Sequence, residues 1–261
     1  MKRFIKEYIL RAIRSKGYDI VARQKVPFSI FIKDRCDIAE VRHAGHVLKF
    51  LVGNPNDVIQ SQLMEGSLYE IEELALIEKH YDPGTTFVDI GSNIGNHAIW
   101  AARCLSAPKV ICFEPVLGQH TLLCANIAIN DLNDVVTVHK IALSSASGTV
   151  RIAQSFMVTE NSGAAQVSFT GLGEEVRAST GDLELSGVGP MFIKIDVEGH
   201  EMRVLQGLEQ TIQRVRPKLF VEVDNANATL FENWITRSGY HVLERFQRYK
   251  GNCNFLIAPV G

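Results

Sequence analysis

No two of the five cysteines (Cys36, Cys104, Cys112, Cys124 and Cys253) form a C-x-x-C pair, and their number is odd. Neither a disulfide framework nor a zinc cage is indicated, and a reducing compartment fits. A run of about 18 apolar residues is missing, as is the uninterrupted apolar start of a secretory signal. The expectation is a cytoplasmic protein without a transmembrane segment. Basic excess is missing as well. A formal net charge of -2 argues against a general nucleic-acid binder, which needs cations to neutralise phosphates, and leaves small molecules as partners. Internal repeats and low-complexity tracts are also lacking.

What is present is an ordinary globular composition, 46% hydrophobic and 21% charged over 261 residues. That length supports one α/β core with an accessory region. Residues 1–20 place Phe4, Ile5, Tyr8, Ile9, Ala12 and Ile13 at helical spacing opposite Lys2, Arg3, Lys6, Arg11, Arg14 and Lys16. This is an amphipathic helix, read as packing on its own domain or on a second copy in a homodimer rather than on a membrane surface. Residues 27–52 alternate as strands, with a hairpin tip at Ala44-Gly45 flanked by His43 and His46. Two turn histidines without a third ligand do not make a metal site. Residues 1–66 are thus expected to form an accessory region and residues 67–261 the catalytic domain.

An acidic helix is predicted from Ser67 to His80, ended by Asp82-Pro83-Gly84. Beyond it strands and helices alternate. Strands are expected at 85–90, 110–113, 135–141, 191–195 and 219–223, with helices at 94–104, 119–129, 200–215 and 227–238 between and after them. Two last strands, 241–246 and 253–258, meet around Lys250-Gly251. A hairpin (148–153 with 165–168) and a glycine-rich connection (170–173) interrupt the series, where insertions often shape a substrate site. The pattern predicts an α/β fold: a doubly wound, mostly parallel seven-stranded sheet with helices on both faces.

Three strand ends carry chemistry. Asp89 and Gly91 close the first strand of the alternating series and Gly95 opens a helix, so Val88-Asp89-Ile90-Gly91-Ser92-Asn93-Ile94-Gly95 is a strand, tight turn and helix N-terminus. Such a turn suits a nucleotide phosphate, a dinucleotide pyrophosphate or the carboxylate end of S-adenosylmethionine. A dinucleotide loop wants glycines where this chain has Asn93 and Asn96, and a P-loop wants a lysine where Asn96-His97 follow Gly95. A bare structural turn stays open on this segment alone. Glu114 then follows the second strand, where a carboxylate accepts both ribose hydroxyls of an adenosine, and Pro115 fixes the exit. Asp196, Glu198, His200 and Glu201 gather at the end of the fourth strand. Glu198 and Glu201 could equally serve the dipole of the following helix; Asp196 is the sharper candidate.

Together the blocks 87–95, 113–115, 126–130, 193–201 and 217–222 resemble the FkbM-type methyltransferase family, over roughly residues 67–259. The resemblance implies a class I methyltransferase sheet, S-adenosylmethionine as donor, and O-methylation of a sugar, polyketide or other small hydroxylated acceptor. It implies that Asp89, Gly91, Ser92, Asn93 and Gly95 line the methionine end. Glu114 and Pro115 would stand at the ribose, Ile141-Ala142 at the adenine edge, and Asp196 beside the donor. Deprotonating a hydroxyl calls for a base, here His200 or Asp196 with Glu198 beside them. His200 is preferred because an imidazole titrates near neutral pH. A variant has Asp196 with Glu222, Asp224 and Asn225 offer oxygens to Mg2+. Two competing readings are a nucleotide-dependent oxidoreductase on a similar sheet and a catalytically silent cofactor-binding module.

Overall fold

The computed structural model describes residues 36–153, 166–168 and 173–261. The amphipathic helix expected over 1–20, any strand before residue 36 and most of the 170–173 connection lie outside these residues. Asp37–Gly261 is one compact unit.

The unit opens with a hairpin, β1 (Asp37–His43) and β2 (His46–Val52), paired from Asp37↔Val52 to His43↔His46. Its tip is Ala44-Gly45, both at positive φ, as a two-residue turn between right-twisted strands demands. Helices α1 (Val58–Met64) and α2 (Ile71–His80) follow. The acidic helix thus starts four residues later than expected, because Glu70 sits in the left-handed region (φ 58, ψ 45) and turns the chain into it.

Next come β3 (Thr86–Ile90), α3 (Asn96–Arg103), β4 (Val110–Phe113), α4 (Leu117–Ile129) and β5 (Val136–His139). A second sheet interrupts: β6 (Ala142–Leu143), β7 (Gly148–Ala153), β8 (Gln166–Ser168) and β9 (Glu174–Ser179), followed by the short α5 (Gly181–Glu184). The main series resumes with β10 (Met191–Ile195), α6 (Glu201–Gly207), α7 (Glu209–Val215), β11 (Lys218–Asp224), α8 (Ala228–Arg237), β12 (Tyr240–Phe246) and β13 (Asn252–Pro259). The helix expected over 200–215 is two helices broken at Leu208. Gly207 lies so close to the β6 end that a Cβ there would stand 2.0 Å from the Ser144 carbonyl oxygen.

The main sheet has seven strands in the order β12-β13-β11-β10-β3-β4-β5. The pairs from β11 through β5 are parallel and the β13 pairings antiparallel. Both faces are covered. Phe87, Phe192 and Phe220 enter one core with Trp100, Leu123 and Ile127, whereas Val88, Ile90, Ile193 and Ile195 enter the other with Leu205, Phe231 and Phe255. This is why β4 reads as a continuous apolar run and β3 and β10 as apolar runs broken only by Asp89 and Lys194.

The chain winds outward from β3 through β4 to β5, then returns to the other side of β3 with β10 and β11. The order therefore reverses between β3 and β10, and a crevice opens at their carboxyl ends. The four-stranded sheet, ordered β6-β9-β7-β8, follows β5 in the chain; the hairpin expected from 148–153 with 165–168 is two of its strands.

The hairpin is not separate from this body. Ala39, Val41, Leu48, Phe50 and Val52 join the core of Trp100, Leu123 and Ile127. Asn126 Oδ1 accepts from Leu51 N at 2.7 Å while its Nδ2 donates to Ile94 O at 2.8 Å. Asn130 receives and returns hydrogen bonds at Lys49. The boundary expected at residue 66 thus falls inside one core.

Candidate active site

At the switch between β3 and β10 lies a cleft of about 280 Å3. One wall is the turn after β3. Gly91 N and Ser92 N donate to Phe113 O at 2.9 and 3.2 Å, Ser92 Oγ caps Asp89 O at 2.7 Å, and Gly95 N reaches Ser92 O at 2.9 Å. Asn93 takes a left-handed conformation (φ 48), as do Gly91 and Gly95. Glycine at 91 has a reason the sequence did not reveal: a Cβ there would stand 1.8 Å from Asp196 O. The β3 turn and the β10 turn are therefore in backbone contact, reinforced by Asp196 N donating to Ile90 O at 3.0 Å.

Glu114 is buried at the end of β4. Its Oε2 accepts from Asn93 N and its Oε1 from Val116 N, each at 2.9 Å. A carboxylate has about four acceptor sites, so two stay open toward the cleft. Burial pushes its carboxyl up to about 7 against those two N–H groups. Pro115 lines the same stretch, and beyond it Ile141, Ala142, Leu143 and Ile152 make an apolar end. The cleft thus runs from a glycine turn past a clasped carboxylate to an apolar slot, a polarity sequence that fits an amino-acid tail, a ribose and a base.

The opposite end is acidic. Lys194, on β10 in register with Asp89 on β3, is 3% exposed. Its Nζ lies 3.2 Å from Gly91 O, 3.1 Å from Asp196 Oδ2 and 3.4 Å from Asp89 Oδ1. Burial pulls its pKa down, but Asp196, Asp89 and Glu70 outweigh it and hold the ammonium above the usual lysine range. Asp89, fully buried, has a raised pKa because desolvation exceeds the pull of Lys194. It thus serves the floor of the turn and is not among the residues lining the cleft. Asp196 is kept below the usual range: burial opposes this, but Lys194 and a hydrogen bond with Glu222 prevail. Glu222 is correspondingly pushed up to about 11 by burial and by Asp196. Its Oε1 accepts from Asn252 Nδ2 at 2.6 Å.

Glu198, at φ 48, lines the cleft, and burial with Asp196 raises its carboxyl to about 7. Glu201 instead turns away, accepting from Asp224 N at 2.6 Å. His200 departs from the reason for preferring it. Its Nε2 pairs with Ser144 Oγ at 3.0 Å, and burial with Arg203 nearby lowers its pKa to about 4. The metal variant changes membership too. Asp224 Oδ1 accepts from Ala226 N and Asn225 Nδ2 donates to Lys250 O, so both side chains serve the turn after β11. Glu198 takes their place: Asp196, Glu198 and Glu222 bring oxygens within 4.8 Å of one another, a set that could hold a divalent cation.

The sequence reading missed Lys194, Glu70, His97 and the tyrosine pair. Glu70 is buried, lines the cleft and has its carboxyl raised to about 8, by desolvation first and Asp196 second. Its Oε2 is 3.7 Å from His97 Nε2. Tyr69 Oη and Tyr249 Oη share a hydrogen bond at 3.0 Å, and both residues line the cleft.

A doubly wound sheet with a glycine turn and, one strand over, a buried carboxylate at its switch point is the architecture of the class I methyltransferases. The comparisons agree. A family model described as methyltransferase FkbM domain matches residues 89–249, and the chain belongs to the FkbM methyltransferase family. It is 30% identical over 182 residues to the hexuronic acid methyltransferase AglP of Haloferax volcanii, covering 68% of this chain and 70% of that protein. With the methyltransferase sdnD of Sordaria araneosa it shares 26% identity over 155 residues, 47% of this chain and 60% of that one. The solved structure of methyltransferase FkbM from Methylobacillus flagellatus matches with a TM-score of 0.51 at 19% identity. That match covers 68% of this chain and 44% of that one, and it bears on the fold. Among the described residues no helix is long and apolar enough to cross a membrane.

Proposed function

We propose that this protein transfers a methyl group from S-adenosylmethionine to a hydroxyl of a sugar or another small hydroxylated acceptor. The observation that carries the reading is Glu114, clasped between Asn93 N and Val116 N with acceptor capacity left over, one strand away from the glycine turn. In this reading Gly91, Ser92 and Asn93 hold the amino-acid tail, Asp89 supports them from below, and Gly95, which packs against Leu123 and does not line the cleft, lets the turn enter α3. Glu114 and Pro115 hold the ribose, and Ile141 and Ala142 flank the adenine. The donor supplies an electrophilic methyl whose departure needs no proton.

What the chain must supply is alignment and a base for the acceptor. Glu198, with its carboxyl at about 7 and a place on the cleft wall, is better matched to that task than His200, whose ring is already engaged by Ser144. Asp196, ionised beside Lys194, orients the acceptor. His200 positions the β10 turn against β6. The hexuronic acid relative supports a sugar-type acceptor. Calorimetry with S-adenosylhomocysteine and with NAD separates the methyltransferase from the oxidoreductase reading. Saturable binding of the former and none of the latter is expected; the reverse would overturn the proposal.

A further inference from the structure

Part of the cleft wall is built by elements outside the parallel strands. Tyr69 and Glu70 precede α2, His97 stands in the first turn of α3, and Tyr249 and Asn252 come from the β12–β13 connection. Asn96, itself buried, clamps this wall. Its Oδ1 accepts from Tyr69 N at 3.1 Å and its Nδ2 donates to Tyr69 O at 2.9 Å, so the next residues along, Glu70 and His97, are set face to face. Arg248 fixes the other side: its Nε donates to Glu73 Oε1 on α2 at 2.7 Å, and Tyr249 Oη meets Tyr69 Oη at 3.0 Å. The wall is held, yet hydrogen-bonding capacity is left over. The carboxyl of Glu70, 9% exposed, accepts no hydrogen bond among the described residues. His97 Nε2 has no hydrogen-bond partner either, and the 3.7 Å between it and Glu70 Oε2 is too wide for one. Asn252 Oδ1 is unpaired as well, although its Nδ2 donates to Glu222 Oε1 at 2.6 Å. Between the two tyrosines only one O–H is used, which leaves the second free to donate. Unpaired polar groups at this depth call for a ligand that pairs them.

We propose that this wall is the acceptor subsite, in which Tyr69, Glu70, Tyr249 and Asn252 exchange hydrogen bonds with the hydroxyls of a sugar ring. The inference rests on the methyl-transfer reading above and says where its acceptor sits. Each hydroxyl of a sugar both donates and accepts, so it needs a surface that does the same. A phenol O–H and an amide oxygen supply the two roles. The carboxyl of Glu70, pushed up to about 8 by burial first and Asp196 second, keeps its proton near neutral pH and supplies both. The wall is also joined to the carboxylate assigned above to orient the acceptor: Asn252 holds Glu222, and Glu222 shares a hydrogen bond with Asp196. The four-stranded sheet, where the sequence pattern suggested substrate recognition, gives the cleft Ala142, Leu143 and Ile152 among the described residues, all of them apolar. A hydroxyl finds no side-chain partner there.

Saturation-transfer NMR titrations on the full chain, loaded with S-adenosylhomocysteine, test this with three probes. These are methyl β-D-glucopyranoside, methyl β-D-galactopyranoside and tetrahydropyran, the same ring without hydroxyls. At least one glycoside is expected to bind saturably, with a dissociation constant on the order of 1 mM, and tetrahydropyran is not. Tyr249→Phe and Glu70→Ala should each weaken that glycoside about threefold or more and leave S-adenosylhomocysteine within about twofold, its affinity reporting an intact fold. Arg151→Ala, at an exposed ion pair with Glu175 on the four-stranded sheet, is the control and should change neither. Undiminished glycoside binding in both wall variants, its loss in Arg151→Ala, or no glycoside binding at all overturns the inference and leaves the donor site standing. Failure of S-adenosylhomocysteine itself to bind overturns the methyl-transfer reading with it.

Discussion

Lys194 shows how a single residue organises the site. A lysine at 3% exposure is tolerated because Asp196 and the fully buried Asp89 both face its ammonium. Removing one partner leaves an uncompensated buried charge, at a cost of about 3–5 kcal/mol. Lys194→Met should lose that much in urea denaturation, and adding Asp89→Asn should restore part of it. If the single variant is as stable as the parent, the pair is not what holds the β3 and β10 ends together. This residue was hard to read from sequence because a charge between Ile193 and Ile195 looks like the polar phase of an alternating strand. Only the register against Asp89, which pairing supplies and composition does not, turns it inward. Asp196, Glu198 and Glu114 were legible because strand ends in an open α/β sheet are where ligand groups must project. The imidazole of His200 was legible as a residue but not in its state, since burial against Ser144 depends on a strand far away in the sequence.

At the scale of elements, the two strand-end turns meet through Gly91. Gly91→Ala must accommodate a left-handed backbone, about 1–3 kcal/mol for a non-glycine residue, and a Cβ 1.8 Å from a carbonyl oxygen. Gly199, also at positive φ (+88) but with nothing within 4 Å, provides the comparison. Gly91→Ala is expected to destabilise clearly more than Gly199→Ala in the same urea titration, and equal losses would show that the contact is relaxed at no cost. The alternation of strands and helices was readable because each strand of the parallel core is a short apolar run. β9 was not. Glu174, Glu175 and Arg177 disguise it, and only Val176, Ala178 and Ser179 turn inward. The break between α6 and α7 was hidden for a similar reason: the apolar period continues across it, while the close approach of Gly207 to Ser144 is a tertiary fact.

For the whole molecule, the hairpin decides where the folded unit begins. Val41, Leu48, Phe50 and Leu63 are at most 1% exposed, and each such side chain contributes about 1.5–3 kcal/mol when buried. Domain stability totals only about 5–15 kcal/mol. A chain starting at residue 67 is therefore expected to lose cooperative thermal unfolding, whereas one starting at Asp37 keeps it. A cooperative melt from the shorter chain would restore the boundary expected from sequence. The hairpin was visible in the alternation around Ala44-Gly45, but its attachment was not, because that depends on Asn126 of α4 and Asn130 at its C-terminus reaching to the backbone of β2.

The carbonyl of Asp196 resting on Gly91 carries one more implication. With no side chain between them to compress or rotate, the two turns form a rigid clasp. A displacement of the first turn is therefore passed straight to the second.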